Sequence, residues 1–271
     1  MLDRDEYVEQ AYFFRALRER LGEGYSTQEL IRMIRHEILS TTQLPYALDC
    51  MVDELRHTGG FASVMSRLSH YFTPFQAYVM SEAERDSGRM EFATALEILE
   101  KEAEYRAKGA NVQGIFLYQF ETLCRNRLGY DKGLAAMAGD PVYDDAWREW
   151  LDTVRRQIGL VDIADMIFVR SEYYVQKFGP IEKPVLFGLK EGQIAAANRR
   201  KDALYLFAAL ARHLGYPTVP RTRKADDPLG TLYALRRRVE RLETRLKLVE
   251  EEQRGGIDLS RFFIPDEKKG K

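Results

Sequence analysis

Apolar residues recur along this chain at helical rather than strand spacing. Tyr7, Ala11, Phe14, Leu17 and Leu21 step by four, three, three and four, one face of a helix. Gly22 and Gly24 end that stretch. Ser26-Thr27-Gln28-Glu29 then has the form of a capping box, with Leu30, Ile31, Ile34 and Ile38 as the buried stripe behind it. Thr42 and Pro45 predict the start of a third helix that runs to Gly59-Gly60. Thr73-Pro74 repeats the start signal among His70, Tyr71, Phe72, Phe75 and Tyr78. That aromatic density suits a clamped helix–helix corner better than a ligand pocket. A highly charged helix follows Ser87-Gly88 and ends near Gly109.

After Asn111, Phe116, Leu117, Phe120, Leu123 and Cys124 share a face. Gly129, Gly133, Gly139 and Pro141 cut the next stretch into short pieces. Trp147, Trp150, Leu151, Val154 and Ile158 predict an amphipathic helix. Its successor, 161–174, is apolar on nearly every side and predicts a helix central to the fold. Only 179–192 suggests extended structure, through Pro180, Pro184 and Val185-Leu186-Phe187. One further helix is expected from about Gln193 to Leu214, with Arg199-Arg200-Lys201 inside it. No strand alternation is sustained and no repeat recurs, which disfavours sheet folds and solenoids.

Beyond Asp226-Asp227-Pro228 the pattern changes. Leu232, Leu235, Val239, Leu242, Leu246 and Val249 alternate three and four, the a and d positions of a heptad. With Leu232 at a, the g positions include Arg238 and Arg245 and the e positions include Glu243 and Glu250. In a parallel pair, Arg238 meets Glu243 of the other chain and Arg245 meets Glu250. The competing arrangement folds this short seam back onto the body. Gly255-Gly256 ends the helix, and the tail brings Phe262, Phe263 and Ile264 before a basic end. The expected fold is therefore all-α. An irregular bundle of eight to ten helices (1–220) precedes a linker and a long coiled-coil-like helix (221–254) and a short apolar tail (255–271).

Composition narrows the function classes. The chain has 271 residues, 45% of them hydrophobic, enough for a sizeable core. Its 41 basic and 42 acidic residues nearly cancel, which disfavours a protein that coats nucleic acid or membrane. The opening Met1-Leu2-Asp3-Arg4-Asp5-Glu6 lacks the basic start and apolar middle of a secretory signal. Cys50 and Cys124 have no metal or redox spacing and suit a reducing compartment, so a cytoplasmic location is expected.

No constellation in the chain fixes an activity. Glu54 and His57 form Glu-x-x-His, yet a di-metal bundle needs a second copy, which the sequence lacks. Asp162, Asp165 and Glu172 fall along one side of the expected central helix, where carboxylates either work as acid and base or simply face water. No phosphate-binding glycine motif and no zinc cluster occurs. Residues 1–40 carry six Arg against eight acids, an unsuitable charge for a helix-turn-helix reader. Residues 190–224 carry net +6 and suit an acidic protein partner, since aromatics are not interleaved in the basic run. The reading that follows is a non-enzymatic scaffold or adaptor, without metal or cofactor. It self-associates through Leu232 to Val249 and docks a partner through Phe262, Phe263 and Ile264. The alternative is a helical enzyme or ligand-binding protein using the carboxylate and histidine groups, and nucleic-acid binding ranks last.

Overall fold

The computed structural model describes residues 2–58, 60–85 and 90–222, together with Leu235, Val239, Glu240, Leu242, Glu243, Leu246 and Glu250. The described residues form thirteen helices and no strand; two isolated bridges are the only ladder-type pairings. In chain order the helices are α1 (Arg4–Arg20), α2 (Thr27–Arg35), α3 (Leu44–Thr58), α4 (Phe61–Arg67), α5 (Pro74–Glu84), α6 (Phe92–Ala107) and α7 (Val112–Arg125). Next come α8 (Tyr130–Ala138), α9 (Asp145–Gln157), α10 (Ile163–Val169), α11 (Glu172–Phe178), α12 (Leu189–Asn198) and α13 (Ala203–Leu214). Among these residues no helix is long and apolar enough to cross a membrane.

The local signals operate as the sequence dictates. The Ser26 hydroxyl accepts from the Glu29 amide at 3.3 Å, and the Glu29 carboxylate accepts from the Ser26 amide at 2.9 Å. Thr73 and Gln76 close the same reciprocal box at the start of α5, with Pro74 in its first turn. Tyr7, Ala11, Phe14, Leu17 and Leu21 are all buried, as are Leu30, Ile31, Ile34 and Ile38. The aromatics around Thr73 are core: Tyr71, Phe72, Phe75 and Tyr78 are buried, and His70 faces solvent. A second aromatic knot joins α7, α9 and the loop before α12. Phe116 meets Trp150 edge-on at 4.8 Å, and both Trp147 and Trp150 meet Phe187 at 5.2 Å. Such pairs add about 0.5–1.5 kcal/mol each beyond burial.

Three expectations need correction. Thirteen helices stand where eight to ten were expected, partly because α4 follows α3 after only a short break. The segment 161–174 is two short helices: Arg170 leaves the helical path, and Ser171 caps α11 by accepting from the Tyr174 amide. The interruption is tertiary, since the Arg170 carbonyl accepts from the Leu186 and Phe187 amides and the Phe187 carbonyl accepts from the Glu172 amide. Likewise 193–214 is not one helix. α12 ends at Asn198, and Asp202 starts α13 by accepting from the Leu204 amide at 2.9 Å. Arg199-Arg200-Lys201 therefore forms a corner instead of a helix face.

Candidate functional site

Several carboxylates in this molecule do a recurring job: they reach backbone amides that helix geometry leaves without partners. On α1, Glu6 accepts from the Gln43 amide at 2.6 Å and from the Tyr71 hydroxyl at 2.8 Å, and Glu9 accepts from the Leu39 amide at 3.1 Å. Burial, then the bonded Glu6 carboxylate, push the Tyr71 phenol far above its ordinary pKa. At the end of α5, Glu84 accepts from the amides of Phe61 and Ala62, at 2.7 and 3.1 Å, and so closes the start of α4.

The carboxylates picked out in 161–174 belong to the same pattern. Asp162 caps α10 through the Ala164 amide at 3.0 Å and also takes the Arg200 amide at 2.9 Å. Asp165 pairs with the Arg199 guanidinium, which also lies over the Phe168 ring at 5.1 Å. Glu172 takes the Leu189 amide at 3.1 Å, at the start of α12. The three acids thus fasten α10 and α11 to α12 and its exit. They do not converge on a common point where a substrate atom would sit.

The Glu-x-x-His pair divides in the same way. Glu54 pairs with Arg67 across the α3–α4 junction, and His57 is exposed. Among the described residues no three His, Cys, Asp or Glu side chains come together as metal ligands.

One cluster escaped the sequence reading. Arg106 on α6 is fully enclosed and bonds Glu102 at 2.7 Å and Asp140 in the same fork. Gln119 donates to both carboxylates, at 2.8 and 3.1 Å, and accepts from the Tyr143 hydroxyl at 2.8 Å. The Arg106 guanidinium also lies 5.8 Å from the Tyr7 ring centroid. Burial by itself would lower Arg106, but Glu102 and Asp140 outweigh it and hold the guanidinium well above its ordinary pKa. Glu102 and Arg106 are four apart, the spacing of an ordinary surface ion pair, so the sequence carried no mark of their burial. A groove of about 660 Å³ opens beside this cluster, lined by Leu2, Arg4, Tyr7, Lys108 and Ile115 among others. Among the described residues its lining includes no carboxylate, histidine or cysteine.

The C-terminal stripe has a different character. Leu235, Val239, Leu242 and Leu246 are helical and between 51% and 63% exposed. Glu243 and Glu250 are helical and exposed as well. Glu240, on the flank of the seam, accepts from the Thr27 hydroxyl at 3.2 Å at the start of α2. Leu232, Arg238, Arg245 and Val249 lie outside the described residues, as do Phe262, Phe263 and Ile264 of the tail.

No family model matches the chain, and neither the curated proteins nor the solved structures give a match.

Proposed function

We propose that this protein is a non-enzymatic helical scaffold or adaptor that self-associates through its C-terminal heptad stripe. The observation that carries the reading is the exposure of Leu235, Val239, Leu242 and Leu246, four apolar side chains in a/d register. Burying each against a second copy contributes roughly 1.5–3 kcal/mol before the cost of association. The register also places Arg238 and Arg245 opposite Glu243 and Glu250 of a parallel partner. The Thr27–Glu240 hydrogen bond supports a helix that rests on its own body by a polar flank and keeps its apolar seam outward. The alternative, an enzyme built on Asp162, Asp165 and Glu172, loses support because each acid already holds a neighbouring segment. The free thiols of Cys50 and Cys124 suit a reducing, cytoplasmic setting. Docking of a protein partner by Phe262, Phe263 and Ile264 belongs to the same proposal.

Light scattering on the full chain and on Leu242→Asp tests it. The expected outcome is a dimer that becomes a monomer in the variant and in a truncation ending at Pro228. A full chain that is monomeric at all accessible concentrations would overturn self-association and leave the seam to the body.

A further inference from the structure

The corner between α12 and α13 exposes two cations, Arg200 and Lys201, and each helix adds one at its far end, Lys190 at the start of α12 and Arg212 near the end of α13. Arg199 is consumed by Asp165. Among the described residues, Lys190, Arg200, Lys201 and Arg212 are exposed and form no ion pair. Elsewhere the arginines are largely spoken for: Arg15, Arg18, Arg20, Arg35, Arg67, Arg106, Arg125 and Arg155 each meet a carboxylate.

Arg200 is the most telling of the four. Its φ of +59° is left-handed, a conformation that suits glycine and strains a residue with a Cβ. The strain is held from behind, since its amide is bonded to Asp162 at 2.9 Å and its neighbour Arg199 is pinned to Asp165. Two of the three acids that the sequence offered as catalytic candidates, Asp162 and Asp165, therefore build the platform on which Arg200 stands. A glycine would make this turn with less strain; the arginine adds an exposed guanidinium that forms no ion pair among the described residues.

Apolar surface adjoins these cations. Tyr205, Ala208 and Arg212, spaced three and four, share a face of α13 and are all exposed, Tyr205 at 66%, and the exposed Lys201 precedes the helix. Leu204 stands exposed beside Tyr205. Tyrosine and arginine together are the residues that most often dominate binding energy at protein interfaces.

We propose that this corner docks an acidic protein segment carrying an aliphatic or aromatic anchor. The segment runs from the corner along α13: its carboxylates meet Arg200 and Lys201 at one end and Arg212, in the last turn of α13, at the other, and its anchor lies on Tyr205 and Leu204 between them. A protein fits better than a nucleic acid because Asp165 and Asp202 are set among the cations. Discrete carboxylates can avoid those two acids, whereas a continuous phosphodiester chain would run against them. Tyr205 is also a lone aromatic platform, where strand binding uses several in succession. The surface belongs to the helical body and is independent of the C-terminal stripe.

The experiment is fluorescence anisotropy on the full chain with a short labelled peptide of Glu and Asp around a central Leu and Phe. Oligothymidylate of equal charge is the comparison. Saturable peptide binding is expected, weakening with salt. The double variant Lys201→Glu/Arg212→Glu should lower affinity about tenfold or more through lost and reversed charge. Tyr205→Ser should lower it by about tenfold. Arg200→Gly, which keeps the turn and removes the guanidinium, should lower it about threefold. The monomeric Leu242→Asp chain should bind as well as the parent, which separates this site from self-association. No saturable peptide binding, binding that ignores all three substitutions, or tighter binding of oligothymidylate would each overturn the proposal.

Discussion

From α1 to α9, several charged side chains are drawn inward and used to complete the fold. Glu6, Glu9, Glu84 and Asp140 close helix starts and turns, and Arg106 is enclosed between Glu102 and Asp140. At the α12–α13 corner the chain does the reverse. There two acids brace the backbone, and Arg200 and Lys201 are left facing water without partners among the described residues. A charge that completes its own fold has little left to offer another molecule. The difference teaches where to look for function in a chain without a recognisable motif: at charges that folding leaves unspent.

The sharpest way to break this contrast is Arg106→Leu. It strands two buried carboxylates, and breaking a buried pair typically costs about 3–5 kcal/mol. Urea unfolding should show a loss of that size, whereas Lys201→Glu/Arg212→Glu should stay within about 0.5 kcal/mol per site of the parent. Equal losses from the two would erase the distinction.

A milder comparison sets one acid of each region side by side. Glu84→Ala leaves the Phe61 and Ala62 amides without their carboxylate and should cost about 1–2 kcal/mol. Asp162→Ala removes both the α10 cap and the clamp on Arg200. Its stability cost should be of the same order, about 1–2 kcal/mol. Only the Asp162 change, however, should also weaken the acidic peptide in the anisotropy measurement. Peptide affinity that survives Asp162→Ala would detach the strained turn from recognition.

The finest test concerns closure of the interior. Burial, assisted by the nearby Glu121, pushes the Cys124 thiol up to about 11. At pH 8 its thiolate fraction is then on the order of one in a thousand. Cys124 is expected to resist iodoacetamide in the native protein and to react once unfolded, as mass spectrometry of the alkylated peptides would report. Native alkylation of Cys124 at the pace of an ordinary thiol would mean that α7 opens far more readily than its packing implies.

Much of the bundle was legible because its signals are local. The Ser26–Glu29 and Thr73–Gln76 boxes, the stripe from Tyr7 to Leu21 and the Trp147–Val154 face all depend on residues within a few turns of one another. What escaped depended on distant segments. Nothing near Ser171 announces that Phe187 will take over its neighbour's hydrogen bonds, so the apolar run 161–174 looked like one helix. Gln193–Leu214 looked continuous for a similar reason, because the partners of the Arg199–Arg200 corner, Asp165 and Asp162, sit more than thirty residues upstream. The candidate site divides along the same line. The heptad stripe is visible in the sequence alone, whereas the acids of the α10–α12 junction declare their role only once the residues they hold are known.

The pairing of α1 with α6 has a consequence for how the protein is made. α1 makes its most extensive contacts with α6, and Arg15 and Arg18 reach Glu100 there. Synthesis runs from the N-terminal side, so α1 leaves the ribosome before α6 and waits until Ala107 has been added before its main partner exists. At ~5–20 residues per second that interval lasts on the order of several seconds to a quarter of a minute. Through it Phe13, Phe14 and Leu17, all buried in the finished fold, stand without the packing of that partner helix. The nascent chain thus carries a sticky amphipathic helix until Phe92–Ala107 arrives to pack against it.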